Sequence, residues 1–211
     1  MKLKFYKNKK DLIERLIKEN DFVLDVGFWG QGISADDKNW PHNYFLEKSR
    51  NVYGLDLDFQ EAKLKKPENY KKGSAEKFDY DFKFDVIYGG DLIEHLSNPG
   101  VFLESCRRNL KNDGVLILTT PNCFNLFNLA EKLTKREPTV NHDHTFYFNN
   151  KTLLKLLVKN NFKAYEVNYI YSLGVNYIES YKKKFLNLVY YLLAKFTDKY
   201  LETLVIIAKI E

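Results

Sequence analysis

Cysteine is nearly absent from this 211-residue chain: Cys106 and Cys123 are the only two. Two cysteines cannot make a disulfide scaffold, and their spacing matches no metal-ligand pair, so both read as reduced thiols, which predicts a cytoplasmic protein. Proline (5) and glycine (10) are scarce as well, which excludes fibrous and low-complexity architectures. With 45% apolar and 29% charged residues, the chain is too apolar for disorder and long enough to bury a core. No membrane-spanning run is present: the apolar stretch Phe185 to Ala194, between Lys184 and Lys195, is ten residues long. A spanning helix needs about 20. The basic start, MKLKFYKNKKDLIERL, runs into an amphipathic helix pattern rather than an apolar leader, which predicts no signal peptide.

Arginine is the other scarcity. Only five of the 33 basic residues are Arg, and the net charge is +5. Residues 1–150 hold 23 basic and 23 acidic side chains, whereas 151–211 hold 10 and 5, so the whole excess is C-terminal. Arg is the better tool for bidentate recognition of phosphate and guanine. A Lys-dominated excess therefore reads as a solvated surface, and a nucleic-acid partner is not expected.

Apolar spacing predicts the elements. Leu12, Ile13, Leu16 and Ile17 fall at helical intervals within 9–19. FVLDV (22–26) is the short apolar run of a buried parallel strand, with glycines directly behind it. Pro41 opens a helix to about Ser49, and NVYGLDLD (51–58), FDVIYGG (84–90) and GVLILTT (114–120) read as strands. Residues 101–110 carry Phe102, Leu103, Cys106 and Leu110 on one helical face, with Asn112-Asp113-Gly114 as the turn back. Helices at about 124–135 and 150–160, a strand at about 163–171, a helical stretch over 177–199 and a strand at 204–210 complete the order. Strands alternating with helices predict a single α/β domain over 1–211, with right-handed crossovers and helices on both faces of a mostly parallel sheet.

The most informative segment is VLDVGFWGQG (23–32). Gly27, Gly30 and Gly32 allow a tight turn and close approach of backbone to a ligand, a spacing shared by nucleotide loops, dinucleotide loops and plain strand–helix turns. Asp25, just before them, narrows the choice. A carboxylate there repels a pyrophosphate but suits a cationic or zwitterionic ligand such as S-adenosylmethionine, and no G-x-x-x-x-G-K-[ST] motif is present. Asp56 closes the second strand, where an acid can accept from both hydroxyls of a ribose; Asp58 is the alternative.

With these residues in view, the chain resembles the class I S-adenosylmethionine-dependent methyltransferases, the broad group that includes small-molecule and glycan methyltransferases. The resemblance covers about residues 20–210. It rests on VLDVGFWGQG, the acid of VYGLDLD, GSAEKF (73–78), FDVIYGGDLIEHLSNP (84–99), LKNDGVLILTTPN (110–122) and LVIIAKI (204–210), in that order. It implies a Rossmann-like sheet of seven strands whose last runs antiparallel, with a helical insertion before that strand. The implied divisions are an N-terminal helix (1–20), a cofactor-binding core (20–122), acceptor-side helices and a strand (123–202), and the final strand (203–211). The implied cofactor is S-adenosyl-L-methionine. By position, Asp25, Gly27, Phe28, Gly30 and Gly32 would line its methionine and ribose side. Asp56 would hold the ribose, with Leu57 beside it among the cofactor-binding residues, Ala75 and Glu76 would border the adenine, and Gly90 and Asp91 would lie near the amino group. The glycine loop has one residue more than the usual D-x-G-x-G-x-G, and Ser74 stands where relatives often carry Asp.

Methyl transfer is an in-line displacement, for which the protein orients the acceptor and removes a proton from a hydroxyl. His95, in Glu94-His95 behind the fourth strand of the implied sheet, is the candidate base, with Glu94 beside it; the competing reading is a cap that shapes the pocket. His42, His142, His144 and Tyr147 are the candidates for the acceptor side. His142 and His144 flank Asp143, but no third ligand of convincing spacing follows, so no metal is expected. The 177–199 stretch mixes lysines with dense apolar residues and reads as a lid, a homodimer face or a helix resting on an anionic membrane. The expected activity is methylation of a small-molecule, sugar or lipid-linked acceptor, with oxygen favoured. The rival readings are a non-catalytic scaffold that keeps the fold and an RNA methyltransferase.

Overall fold

The computed structural model describes residues 5–30, 40–133, 137, 141–170, 192 and 200–211. Eight strands form one sheet: β1 (Phe5–Tyr6), β2 (Phe22–Val26), β3 (Asn51–Asp56), β4 (Tyr70–Lys72), β5 (Phe84–Gly90), β6 (Leu110–Pro121), β7 (Phe162–Ile170) and β8 (Thr203–Ile210). Their spatial order is β1-β7-β8-β6-β5-β2-β3-β4. All neighbours run parallel except β8, which is antiparallel to both β6 and β7. The Rossmann-like sheet with its reversed last strand is thus as expected. The eighth strand is the two-residue β1, which adds to the free edge of β7.

Five α-helices among the described residues flank the sheet: α1 (Lys9–Leu16), α2 (His42–Lys48), α3 (Pro99–Asn109), α4 (Leu126–Leu133) and α5 (Asn150–Lys159). Period-two alternation sorts the strand side chains between two cores. On one face Leu24, Ile87, Leu118, Leu204 and Ile206 pack with Phe102, Leu103 and Cys106 of α3 and Leu153 and Leu157 of α5. On the other, Val23, Val52, Val86, Ile117, Val205 and Ile207 meet Leu12 and Ile13 of α1 and Phe45 of α2. Near the carboxyl end of β2 a third cluster joins Phe28, Trp40 and Phe59, with Trp29 and Tyr70 against it.

Boundaries shift for local reasons. Helix α1 stops at Leu16 because Ile17 takes extended backbone (φ −93°, ψ 134°). Helix α3 begins two residues earlier than the apolar spacing implies, since Pro99 suits a first turn that needs no N–H. Helix α5 opens on a capping box between Asn149 and Thr152. The expected turn at Asn112-Asp113-Gly114 lies inside β6: Phe84 pairs with Leu110 but Val86 with Val115, so the extra residues bulge out of the ladder. The 177–199 stretch, and with it the helical insertion, lies outside the described residues apart from Leu192. Among the described residues no helix is long and apolar enough to cross a membrane.

The sheet reverses direction of growth at β2. From there β3 and β4 extend one way and β5, β6 the other, so the loops leaving the carboxyl ends of β2 and β5 part and open a crevice at this switch point. Gly54 shows how tightly the neighbourhood is packed. A Cβ on Gly54 would stand 2.6 Å from Tyr70 Cδ1 and 2.7 Å from Phe28 Cδ1. Gly54→Ala is therefore expected to cost about 2 kcal/mol and to lower Tm by about 5 °C. An unchanged thermal melt would contradict this packing.

Candidate active site

The loop behind β2 turns at Gly27 (φ +77°) and Gly30 (φ +64°), both in the left-handed region that favours glycine. The Gly27 amide donates to Leu55 O at 2.7 Å, and the Trp29 amide donates to Asp56 Oδ2 at 3.0 Å, so the loop is laid against the end of β3. Among the described residues, the second carboxylate oxygen of Asp56 has a 3.4 Å contact with the Asp58 amide and retains capacity to accept from a hydroxyl. Leu57, next to it, is 75% exposed at the strand end, an apolar surface suited to a flat ring. Beside Gly30 a Cβ would meet nothing within 4 Å. The loop and strand ends thus bring together open backbone, an acid with hydrogen-bond capacity and an apolar shelf, all at strand carboxyl ends. Gly32 lies outside the described residues.

Three expected cofactor contacts are differently engaged. Asp25 shares the sheet face of Val23, which looks toward α2, and it is buried. Its Oδ2 accepts from His42 Nδ1 at 2.8 Å, and His42 Nε2 lies 3.0 Å from the Tyr70 hydroxyl. Burial pushes the Asp25 carboxyl upward, opposed by the hydrogen bond and charge of His42. Phe28 turns its ring into the aromatic cluster, between Trp40, Phe59, Tyr70 and His42, so only its backbone faces the loop. Glu76 binds both the backbone and side-chain nitrogens of Asn98, which sits directly before α3; the Asn98 amide holds its carboxyl below the usual range. Ala75, partly buried, packs against the core beside it.

His42 therefore does not face an acceptor. It is fully buried with both ring nitrogens engaged, because the first turn of α2 lands on Asp25. His142 is also away from the cavity: it is exposed and pairs with neighbouring Asp143 at 3.2 Å.

The other expected residues gather behind β5. Asp91 adopts φ +49° directly after Gly90, pinned by its amide to Thr119 O at 2.8 Å and by the Thr119 hydroxyl, which donates to Asp91 Oδ1 at 3.0 Å. Lys9, at the first turn of α1, donates to Asp91 Oδ2 at 2.5 Å. Burial works against the Lys9 ammonium, but the pull of Asp91 outweighs it and the net shift is upward. Glu94 is 1% exposed, and its Oε2 accepts from the Thr120 hydroxyl at 2.9 Å. Among the described residues its Oε1 has no partner. Burial, reinforced by the charge of Asp91, raises the Glu94 carboxyl to about 7.

The segment 141–148 folds back onto this end. The amides of Thr145 and Phe146 donate to Glu94 O, and the Thr145 hydroxyl bonds Glu94 O and Leu96 O. His144 thereby meets His95, ring centroids 4.6 Å apart and edge to face. Burial, then the neighbouring His95, lowers the His144 pKa. A cavity of about 400 Å3 opens here, lined by Lys9, Asp91, Glu94, Thr120, His144, Phe146 and Tyr147 among others. A larger groove of about 820 Å3, between α2 and residues 63–70, lies toward the amino ends of β3 and β4 and is remote from this chemistry. Sequence reading missed Lys9, Thr119 and Thr120. Paired threonines at the carboxyl end of a strand were the available signal for the last two; Lys9 is brought in by α1 alone.

The Asp25–His42 pair is expected to hold the loop's foundation. His42→Ala leaves a buried carboxyl without its partner and should cost about 3 kcal/mol of stability. His142→Ala, on the surface, should stay within about 0.5 kcal/mol. Urea denaturation of both variants checks this, and equal midpoints would contradict it.

A protein family described as a methyltransferase domain matches residues 4–167. Among curated proteins, the ubiquinone biosynthesis O-methyltransferase of Colwellia psychrerythraea is 27% identical over 197 residues, 79% of this chain and 77% of that protein. Further relatives of the same name align over shorter stretches, such as the Histophilus somni protein, 34% identical over 106 residues and 42% of its length. Among solved structures, a SAM dependent methyltransferase from Archaeoglobus fulgidus superposes with TM-score 0.57 at 19% identity, covering 96% of this chain and 94% of that one. The Burkholderia thailandensis 1,6-didemethyltoxoflavin-N1-methyltransferase, with 1,6-didemethyltoxoflavin and S-adenosylhomocysteine bound, superposes with TM-score 0.60 at 16% identity, covering 97% of this chain and 79% of that one. By the match that spans most of its length, and by the fold and site that accompany it, this chain belongs to the methyltransferase-domain family, the class I S-adenosylmethionine-dependent methyltransferases.

Proposed function

We propose that the protein transfers a methyl group from S-adenosylmethionine to an oxygen of a small-molecule acceptor, a class that includes sugars and lipid-linked groups. One observation carries this reading: a cavity of small-molecule size opens between the carboxyl ends of β5 and β6 and the 141–148 segment, with Asp91 and Glu94 in its wall. Its volume, about 400 Å3, falls within the usual range for such ligands. The relatives named as ubiquinone biosynthesis O-methyltransferases support oxygen as the atom methylated.

In this reading Gly27 and Gly30 let backbone approach the cofactor, Asp56 accepts from its ribose hydroxyls, and Leu57 and Ala75 border the adenine. Gly90 and Asp91 lie toward the amino group, whose charge Asp91 shares with Lys9. Asp25 acts from beneath, by anchoring the loop through His42 rather than by touching the ligand. The cofactor, when bound, supplies an electrophilic methyl on a sulfonium. What remains for the chain is to hold the acceptor in line, exclude water and take up the hydroxyl proton. Glu94 and His144 line the cavity, with His95 packed against His144, and this cluster is placed to act on the acceptor hydroxyl. Phe146 and Tyr147 form its outer wall, an apolar cover over the reacting end.

Isothermal titration with S-adenosylhomocysteine tests the cofactor half. One site per chain is expected, and Asp56→Ala should weaken it by about tenfold or more, the loss of a charge-assisted hydrogen bond. No heat at about 1 mM ligand, where binding is worth only about 4 kcal/mol, would overturn the reading.

A further inference from the structure

We propose that Glu94, His95 and His144 hold a divalent first-row transition cation, and that this cation receives the acceptor's oxygen. The inference rests on the reading of the adjoining cavity as the acceptor site. One ligand atom from each of the three side chains lies within 4.8 Å of the others, so modest side-chain rotation brings them around a single ion. His142 and His144 are not the pair. The fold leaves His142 with Asp143 on the surface and carries His144 to two residues distant in sequence.

A second, independent observation points to a missing ligand. Glu94 is 1% exposed, its Oε2 is held by the Thr120 hydroxyl, and among the described residues its Oε1 has no hydrogen-bond partner. A buried carboxylate oxygen left unpaired costs free energy that a cation would recover. The donor set selects the ion class. Two imidazoles and one carboxylate suit Mn2+, Co2+ or Zn2+ better than the all-oxygen shells of Mg2+ or Ca2+. Three protein ligands also leave coordination positions open, as a site that must bind substrate requires.

The chemistry then has a definite form. An acceptor hydroxyl on the cation becomes more acidic and loses its proton to solvent. Its oxygen lone pair forms the new C–O bond as the methyl–sulfur bond breaks, and that electron pair stays on sulfur. The three side chains act as ligands in this step, and Thr120 is the positioning residue that aims Glu94.

Co2+ is the probe, added to the chelator-treated full chain and followed by its visible absorption. One saturable Co2+ per chain is expected. Glu94→Gln and His144→Ala should each weaken it at least about 100-fold, while His142→Ala leaves it unchanged. His144 sits on a partly exposed segment, so His144→Ala keeps the test valid should Glu94→Gln fail to fold. Absence of saturable binding, or equal affinity in wild type and His144→Ala, overturns the proposal. S-adenosylhomocysteine calorimetry on the same metal-free protein separates the two claims. Heat from the nucleoside without Co2+ binding defeats the cation alone, whereas Co2+ binding without nucleoside heat supports the site and defeats the methyltransferase reading.

Discussion

The position of β2 between two parallel neighbours is the constraint on which the rest of the molecule depends. Paired to β3 on one side and β5 on the other, it must send its carboxyl-terminal loop out where the sheet changes direction of growth. Parallel strands share an orientation, so the ends of β2, β3 and β5 all deliver their loops to the same edge. The glycine turn, Asp56 and Asp91 meet there because the hydrogen-bond ladder leaves them no other place. The antiparallel β8 does the complementary work. It bonds to both β6 and β7 and so fixes the far half of the sheet, against which α5 packs.

At this edge the protein uses two kinds of acid. Asp25 and Glu94 are buried, whereas Asp56 and Asp91 are partly open. Asp25 has a fixed partner in His42, which makes it part of the scaffold. Glu94, among the described residues, has a hydrogen-bond partner on one oxygen only. Burial raises both carboxyls, but the compensation differs: chiefly the imidazole of His42 for Asp25, and a backbone hydrogen bond, the Thr120 hydroxyl and the Lys9 charge for Glu94. Distinguishing the two requires knowing which direction each side chain points, and that is a property of the sheet rather than of the residue type.

Much of the fold was readable from local pattern. FVLDV, NVYGLD and FDVIYGG are apolar runs of strand length, and they form β2, β3 and β5 close to their expected limits. The 3.6-residue spacing in α1, α3 and α5 is equally direct, since each buries one stripe against the sheet. The misses have common causes. β1 and β4 are only two and three residues long, too short for period-two alternation to register. The β6 bulge was hidden because Asn112-Asp113-Gly114 has turn chemistry whether the chain reverses or merely bulges. Within the site, the glycine motif points Asp25 and Phe28 toward a cofactor and His42 is a candidate for the acceptor side, whereas the packing turns all three inward.

The sequence by itself determined the alternation of strands and helices, the glycine turn after β2, the acid closing β3 and the Glu-His pair behind β5. Each of these is carried by residues adjacent in the chain, where hydrophobic period and backbone freedom act locally. Tertiary structure alone decided which residues share a cavity: Lys9 with Asp91, Thr120 with Glu94, and His144 with His95. Those meetings join segments far apart in sequence, and their partners are chosen by strand order and side-chain direction, which no local pattern encodes.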